Sequence, residues 1–106
     1  MKVVYNTCFG GFGISKACAE FMADRGSSEA MELLDVDDGE FYGYLDATPR
    51  HDAILIMAVE HLGTRKASGS SAELKVHELK GDRYYIDEYD GSESVVEPKD
   101  INWIVV

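Results

Sequence analysis

Cysteine is scarce in this 106-residue chain, with only Cys8 and Cys18, and ten basic residues stand against twenty acidic ones. Two cysteines make no disulfide framework, and their spacing matches no metal site, so both are expected as free thiols in a reducing compartment. A net charge of −10 disfavours contact with a phosphate backbone, which takes clustered Lys and Arg, so no direct nucleic-acid partner is expected. No apolar run is long enough to span a bilayer, and the first residues lack a signal-peptide core. The reading is of a cytoplasmic protein with no membrane partner. His61 and His77 stand alone without ligand spacing, and neither a metal nor a cofactor is implied. There are no repeats, low-complexity stretches or interdomain linkers, and the apolar fraction of 45% suits a packed core.

The most distinctive stretch is Val3-Val4-Tyr5-Asn6-Thr7-Cys8-Phe9-Gly10-Gly11-Phe12-Gly13-Ile14-Ser15. Its pattern is a strand, a tight glycine loop and a helix opened by a serine cap. Such a loop lets backbone N–H groups converge at the positive end of a helix, where an anionic or polar ligand is favoured. The loop lacks the Gly-Lys-Ser/Thr ending of a nucleotide P-loop, and its glycine spacing misses the dinucleotide fingerprint. Glycines that permit a sharp turn over Phe9 and Phe12 are the structural alternative.

Residues 2–6 read as a strand buried on both faces, and residues 15–25 as an amphipathic helix that stops at Gly26 with Cys18 in the core. Residues 30–36 read as a short apolar strand, followed by an acidic turn over 35–40. Phe41, Tyr42, Tyr44 and Leu45 surround Gly43 in a loop or single helical turn. Asp52 is placed to cap a second helix whose buried face is Leu55, Ala58, Val59 and Leu62, widened by Ile54, Ile56 and Met57 and ended by Gly63. Residues 64–71 form a polar loop of greatest expected mobility. The period then changes to two. Residues 72–79 and 83–89 read as strands, Asp90-Gly91 as a hairpin turn, residues 94–97 as a third strand, and 101–106 as a last segment after Pro98. The expected fold is one α+β domain over 1–106: two helices packed on a mainly antiparallel sheet, with a C-terminal β-meander.

Three groups of residues carry a resemblance. They are Val4-Tyr5-Asn6 with the Cys8-to-Gly13 loop and Ser15, then Arg50-His51-Asp52 leading to Val59-Glu60, Leu62-Gly63 and Ala67-Ser68-Gly69, and finally Tyr85 to Gly91 with a late Trp103. In order and spacing, over nearly the whole chain, they resemble a family of small uncharacterised proteins encoded by tailed bacteriophages and prophages. The resemblance implies a phage accessory protein acting in the host bacterial cytoplasm. It implies no mechanism.

The candidate ligand-binding residues are Asn6, Cys8, Gly10, Gly11, Gly13, Ser15, Arg50 and His51, on the expectation that two helix N-termini share one cleft for an anion. The leading function is non-catalytic binding of a host protein or a small anionic ligand. The alternative is a small enzyme acting on a nucleotide-like substrate through the glycine loop. In it Cys8 is the nucleophile, His51 the base, and Asp52 or Glu88 the orienting group. Asp87, Glu88 and Asp90 crowd a hairpin tip, but Asp87 and Glu88 face opposite sides of a strand, which weakens them as a metal or acid–base pair.

Overall fold

The computed structural model describes residues 1–35 and 40–106. They form a mixed α+β structure of three α-helices and two small antiparallel sheets, in the order β1 (Lys2–Asn6), α1 (Lys16–Asp24), α2 (Ser28–Leu34), α3 (Ala53–Ala67), β2 (Leu74–Glu78), β3 (Tyr85–Tyr89) and β4 (Ser92–Val96). A short 3₁₀ turn, Pro98–Asp100, follows.

α1 begins where Ser15 accepts the Cys18 N–H at 3.0 Å, as an N-cap should. It ends in a Schellman closure: the N–H groups of Gly26 and Ser27 donate to the carbonyls of Ala23 and Met22, with Gly26 at φ 100°. Ser27 at once caps the next helix by accepting the Ala30 N–H. For the described residues 30–35, this overturns the strand expected over 30–36. A run of small and straight-chain residues behind a serine cap propagates as helix, with Ala30, Leu33 and Leu34 on the inner side and Met31 exposed. The rest of the expected acidic turn, 36–39, lies outside the described residues.

α3 starts at its predicted cap, where Asp52 accepts the Leu55 N–H at 2.9 Å. Leu55, Ala58 and Val59 are buried, whereas Met57 is exposed. The expected stop at Gly63 is a kink instead. With φ 83° it breaks the helical path, and a further turn carries the chain to buried Ala67. Residues 64–67 are therefore helical and held, not the head of a loose loop.

β1 pairs with β2, from Lys2 opposite Glu78 to Asn6 opposite Leu74, and β3 pairs with β4 across Asp90-Gly91. The turn has φ 51° and 90°, as a two-residue type I′ turn requires. The expected continuous meander is thus two separate ladders. After β2 the N–H groups of Lys80 and Gly81 donate to the Glu97 side chain, which turns the chain out of the ladder before β3 begins.

α3 lies against β1 and β2, α1 packs on α3, and α2 packs on α1. This replaces the expected pair of helices on one sheet face. The core is Val4, Ile14, Cys18, Ala19, Met22, Ala30, Leu55, Ala58, Val59, Ala67 and Leu74. Burying each large aliphatic side chain stabilises the fold by about 1.5–3 kcal/mol. Among the described residues no helix is long and apolar enough to cross a membrane.

Candidate functional site

Asn6, the last residue of β1, is fully buried. Its Nδ2 donates to the carbonyls of Cys8 (2.6 Å) and Gly91 (2.8 Å), and its Oδ1 accepts the N–H groups of Cys8 (3.2 Å) and Glu73 (2.7 Å). Two donors and two acceptor positions are all that an amide side chain offers. Asn6 therefore sews the start of the glycine loop to the β3–β4 turn and to the entry of β2, with no capacity left for a ligand.

Past that anchor the loop becomes one wall of a cleft. Gly11 has φ 96°, the positive value the glycine spacing predicts. Ile14 donates its N–H to Gly43 at 2.9 Å and pairs in a β-bridge with Ser68, while the Gly69 N–H donates to Gly13 at 2.9 Å. At two of these meeting points only glycine fits. A Cβ on Gly43 would overlap the Ile14 carbonyl oxygen, and one on Gly10 would overlap Ser71. Residues 10–16, 41–44 and 68–72 enclose a cleft of about 450 Å³.

Five glycines and four serines among the lining residues make this wall largely main chain and hydroxyl, and the exposed Tyr42 and Tyr44 stand on one side of it. Lys16, the first residue of α1, is the lining cation, and no carboxylate lines the cleft among the described residues. In a chain of net charge −10, that is a local departure from the prevailing sign. The Lys16 ammonium and the Ser70 and Ser71 hydroxyls suit an anion, whereas the N–H groups of Ile14, Ser15, Gly69 and Ala72 and the hydroxyls of Ser15 and Ser68 are already engaged within the chain. Among the described residues the cleft presents no paired acid and base.

Of the eight predicted residues, Gly10, Gly11, Gly13 and Ser15 line this cleft, and Asn6, Cys8, Arg50 and His51 do not. The Ser15 hydroxyl is itself engaged, donating to the Lys66 carbonyl and accepting from Cys18. Arg50 grips the Glu93 carboxylate with both terminal nitrogens and lies 3.6 Å over the Phe12 ring, and its carbonyl accepts the Val4 N–H at 2.8 Å. His51 is exposed, with Nδ1 2.7 Å from the Tyr84 hydroxyl. Of the two helix starts expected to share a cleft, that of α1 lines it through Ser15 and Lys16, and the residues that open α3 do not.

The Cys8–His51 pair gains no support. His51 is engaged with Tyr84, Asp52 caps α3, and Glu88 accepts the Gly91 N–H at 2.6 Å. Among the described residues no group of three or more His, Cys, Asp or Glu is placed to hold a metal ion.

The carboxylates that matter structurally escaped the sequence reading. Burial pushes the Glu29 carboxyl up. The Thr48 hydroxyl and the amides of Ala47, Asp46 and Thr48 outweigh it and hold the group below its ordinary value. Glu97 is held low by His77 and by the amides of Lys80 and Gly81, against the opposing effect of burial. Burial pushes the Tyr84 phenol up against the pull of the Arg50 charge, and the Cys18 thiol up to about 12. The Phe41–Tyr44 wall was also missed as part of the site; its one sequence signal was a glycine set between two tyrosines.

Fold and site together define a mixed α+β protein with a cleft walled by glycine and serine. No family model matches the chain, nor does any curated protein or solved structure.

Proposed function

We propose that this protein is a phage-type accessory protein of the host bacterial cytoplasm that binds a small anionic ligand, without catalysis, in the cleft between residues 10–16, 41–44 and 68–72. The observation that carries the reading is the composition of the cleft wall: main chain, serine and Lys16, free of carboxylates among the described residues, in an otherwise strongly acidic chain. The prior engagement of His51, Asp52 and Glu88 favours binding over the nucleophilic alternative.

The test is a thermal-shift screen of the purified chain against inorganic phosphate, nucleotides and small carboxylates, since a ligand of the native state raises Tm by mass action. The expected result is a concentration-dependent rise for at least one anion that Lys16→Glu removes. A flat response to all of them, or a rise that Lys16→Glu leaves intact, overturns the assignment.

A further inference from the structure

The cleft between residues 10–16, 41–44 and 68–72 is larger than an inorganic anion needs. Its volume of about 450 Å³ falls within the roughly 300–1,000 Å³ of pockets that take organic ligands. One side of it is aromatic. Phe41, Tyr42 and Tyr44 supply rings from one wall, and Phe12 adds another from the glycine loop.

Elsewhere in the chain the rings of Tyr5, Phe12, Phe21 and Tyr84 each meet a histidine or arginine. Tyr42 and Tyr44 have no such ring or cation partner among the described residues, and they are 61% and 64% exposed. Their main chain is nonetheless anchored. The Gly43 carbonyl accepts the Ile14 N–H at 2.9 Å, and the Ile14 carbonyl fills the space that a Cβ on Gly43 would take. The Tyr42 hydroxyl donates to Glu40 at 2.5 Å, which leaves the faces of that ring, and not its hydroxyl, for a ligand. The Glu40 carboxylate first, then desolvation and the Tyr44 phenol, raise the Tyr42 phenol above its ordinary value. The two hydroxyl ends therefore lie close enough for each to sense the other's charge.

Charge restricts the ligand as the rings do. Lys16 is the lining cation, and no other lines the cleft among the described residues. One ammonium balances one anionic group. A polyphosphate would bring further negative charge to a chain of net charge −10, with like charges opposed.

Building on anion binding in this cleft, we propose that its ligand is a flat aromatic or heteroaromatic molecule bearing a single anionic group, a carboxylate or a monophosphate. The ring lies against Tyr42 and Tyr44 while the anionic group meets Lys16. Stacking on an aromatic side chain accepts any ring with a π-face, so this wall selects a chemical class and not one compound.

Matched probe pairs in thermal-shift concentration series test this: acetate against 2-naphthoate, and ribose 5-phosphate against adenosine 5′-monophosphate. In at least one pair the aromatic member should bind about tenfold tighter, and the pair that shows it tells a carboxylate ligand from a monophosphate. Adenosine 5′-triphosphate should bind no tighter than the monophosphate. The aromatic preference should fall towards unity in Tyr42→Ala, Tyr44→Ala. It should persist in Tyr42→Phe, Tyr44→Phe, which keeps the rings and removes the hydroxyls. Binding of acetate or ribose 5-phosphate that Lys16→Glu removes, with no aromatic preference, overturns this inference and leaves anion binding in the cleft standing. Silence from every probe, or binding that Lys16→Glu leaves intact, overturns both. A preference that survives the alanine variant or vanishes in the phenylalanine one overturns the stacking, and a tenfold gain from the triphosphate overturns the limit to one anionic group.

Discussion

Arg50 and Glu93 form a two-pronged ion pair, Nη2 to Oε2 at 2.9 Å, across a sequence separation of 43 residues. The pair joins the approach to α3 to strand β4. It is largely out of solvent, with the side chains 24% and 6% exposed. The same carboxylate also accepts the Asn6 N–H at 2.9 Å. Removing one partner strands a buried charge, so Arg50→Met should destabilise by about 3 kcal/mol. Urea unfolding checks this, and a loss near zero would show the pair to be solvated.

Asn6 satisfies four backbone groups at once. Asn6→Ala leaves them without partners and should cost about 2–4 kcal/mol. Asp52→Ala removes a single cap bond and should cost about 1 kcal/mol. The order of the two losses in one denaturation series is the measurement, and Asp52→Ala being the larger would contradict the geometry.

Gly43→Ala should displace Ile14 or the 41–44 wall, because the added methyl meets the Ile14 carbonyl. A loss of about 1–3 kcal/mol is expected, as for overpacking generally, together with loss of any anion-induced rise in Tm. Gly81→Ala is the control, since nothing lies within 4 Å of a Cβ there.

Much of this fold was legible locally. The Ser15 and Asp52 caps, the Gly26 stop and the Asp90-Gly91 hairpin are each specified by residues within a few positions of one another, and the chain obeys them. What escaped depends on distant partners. Nothing near Glu97 in sequence shows that its carboxylate will gather the Lys80 and Gly81 amides and so split the meander in two. Likewise the fate of Arg50 is decided by Glu93, and the second half of the cleft by Gly43 meeting Ile14. Residues 30–36 failed for another reason: an apolar run so short fits both periods, and the deciding Ser27 cap was overlooked.

Glu29 and Glu97 both titrate below their ordinary values in the folded chain. A depressed carboxylate contributes stability that is fully present above its unfolded value, about 4.3, and is lost as pH falls through the folded one. Tm should therefore hold above about pH 5 and drop steeply below about pH 4.3. In Glu97→Gln the neutral-pH Tm should be lower and the acid drop shallower. An equally steep drop in that variant would assign the acid sensitivity elsewhere.

The two thiols should separate chemically. Cys18 is fully buried and stays protonated at pH 8, whereas Cys8 is only half-buried. A disulfide exchange reagent should titrate one thiol in the native chain and the second only on unfolding. Equal native rates would contradict the burial of Cys18.

Ser15 begins one helix and is bound to the end of another. Its hydroxyl caps α1 while donating to the Lys66 carbonyl in the last turn of α3, and its own N–H donates to the Ala67 carbonyl at 2.8 Å. Fraying cannot start at either end without disturbing the other. The first turn of α1 and the final turn of α3 should exchange their amide hydrogens with a single opening free energy, as one cooperative unit. That unit is also one wall of the cleft, so an anion bound as proposed would slow the unravelling of both helices together.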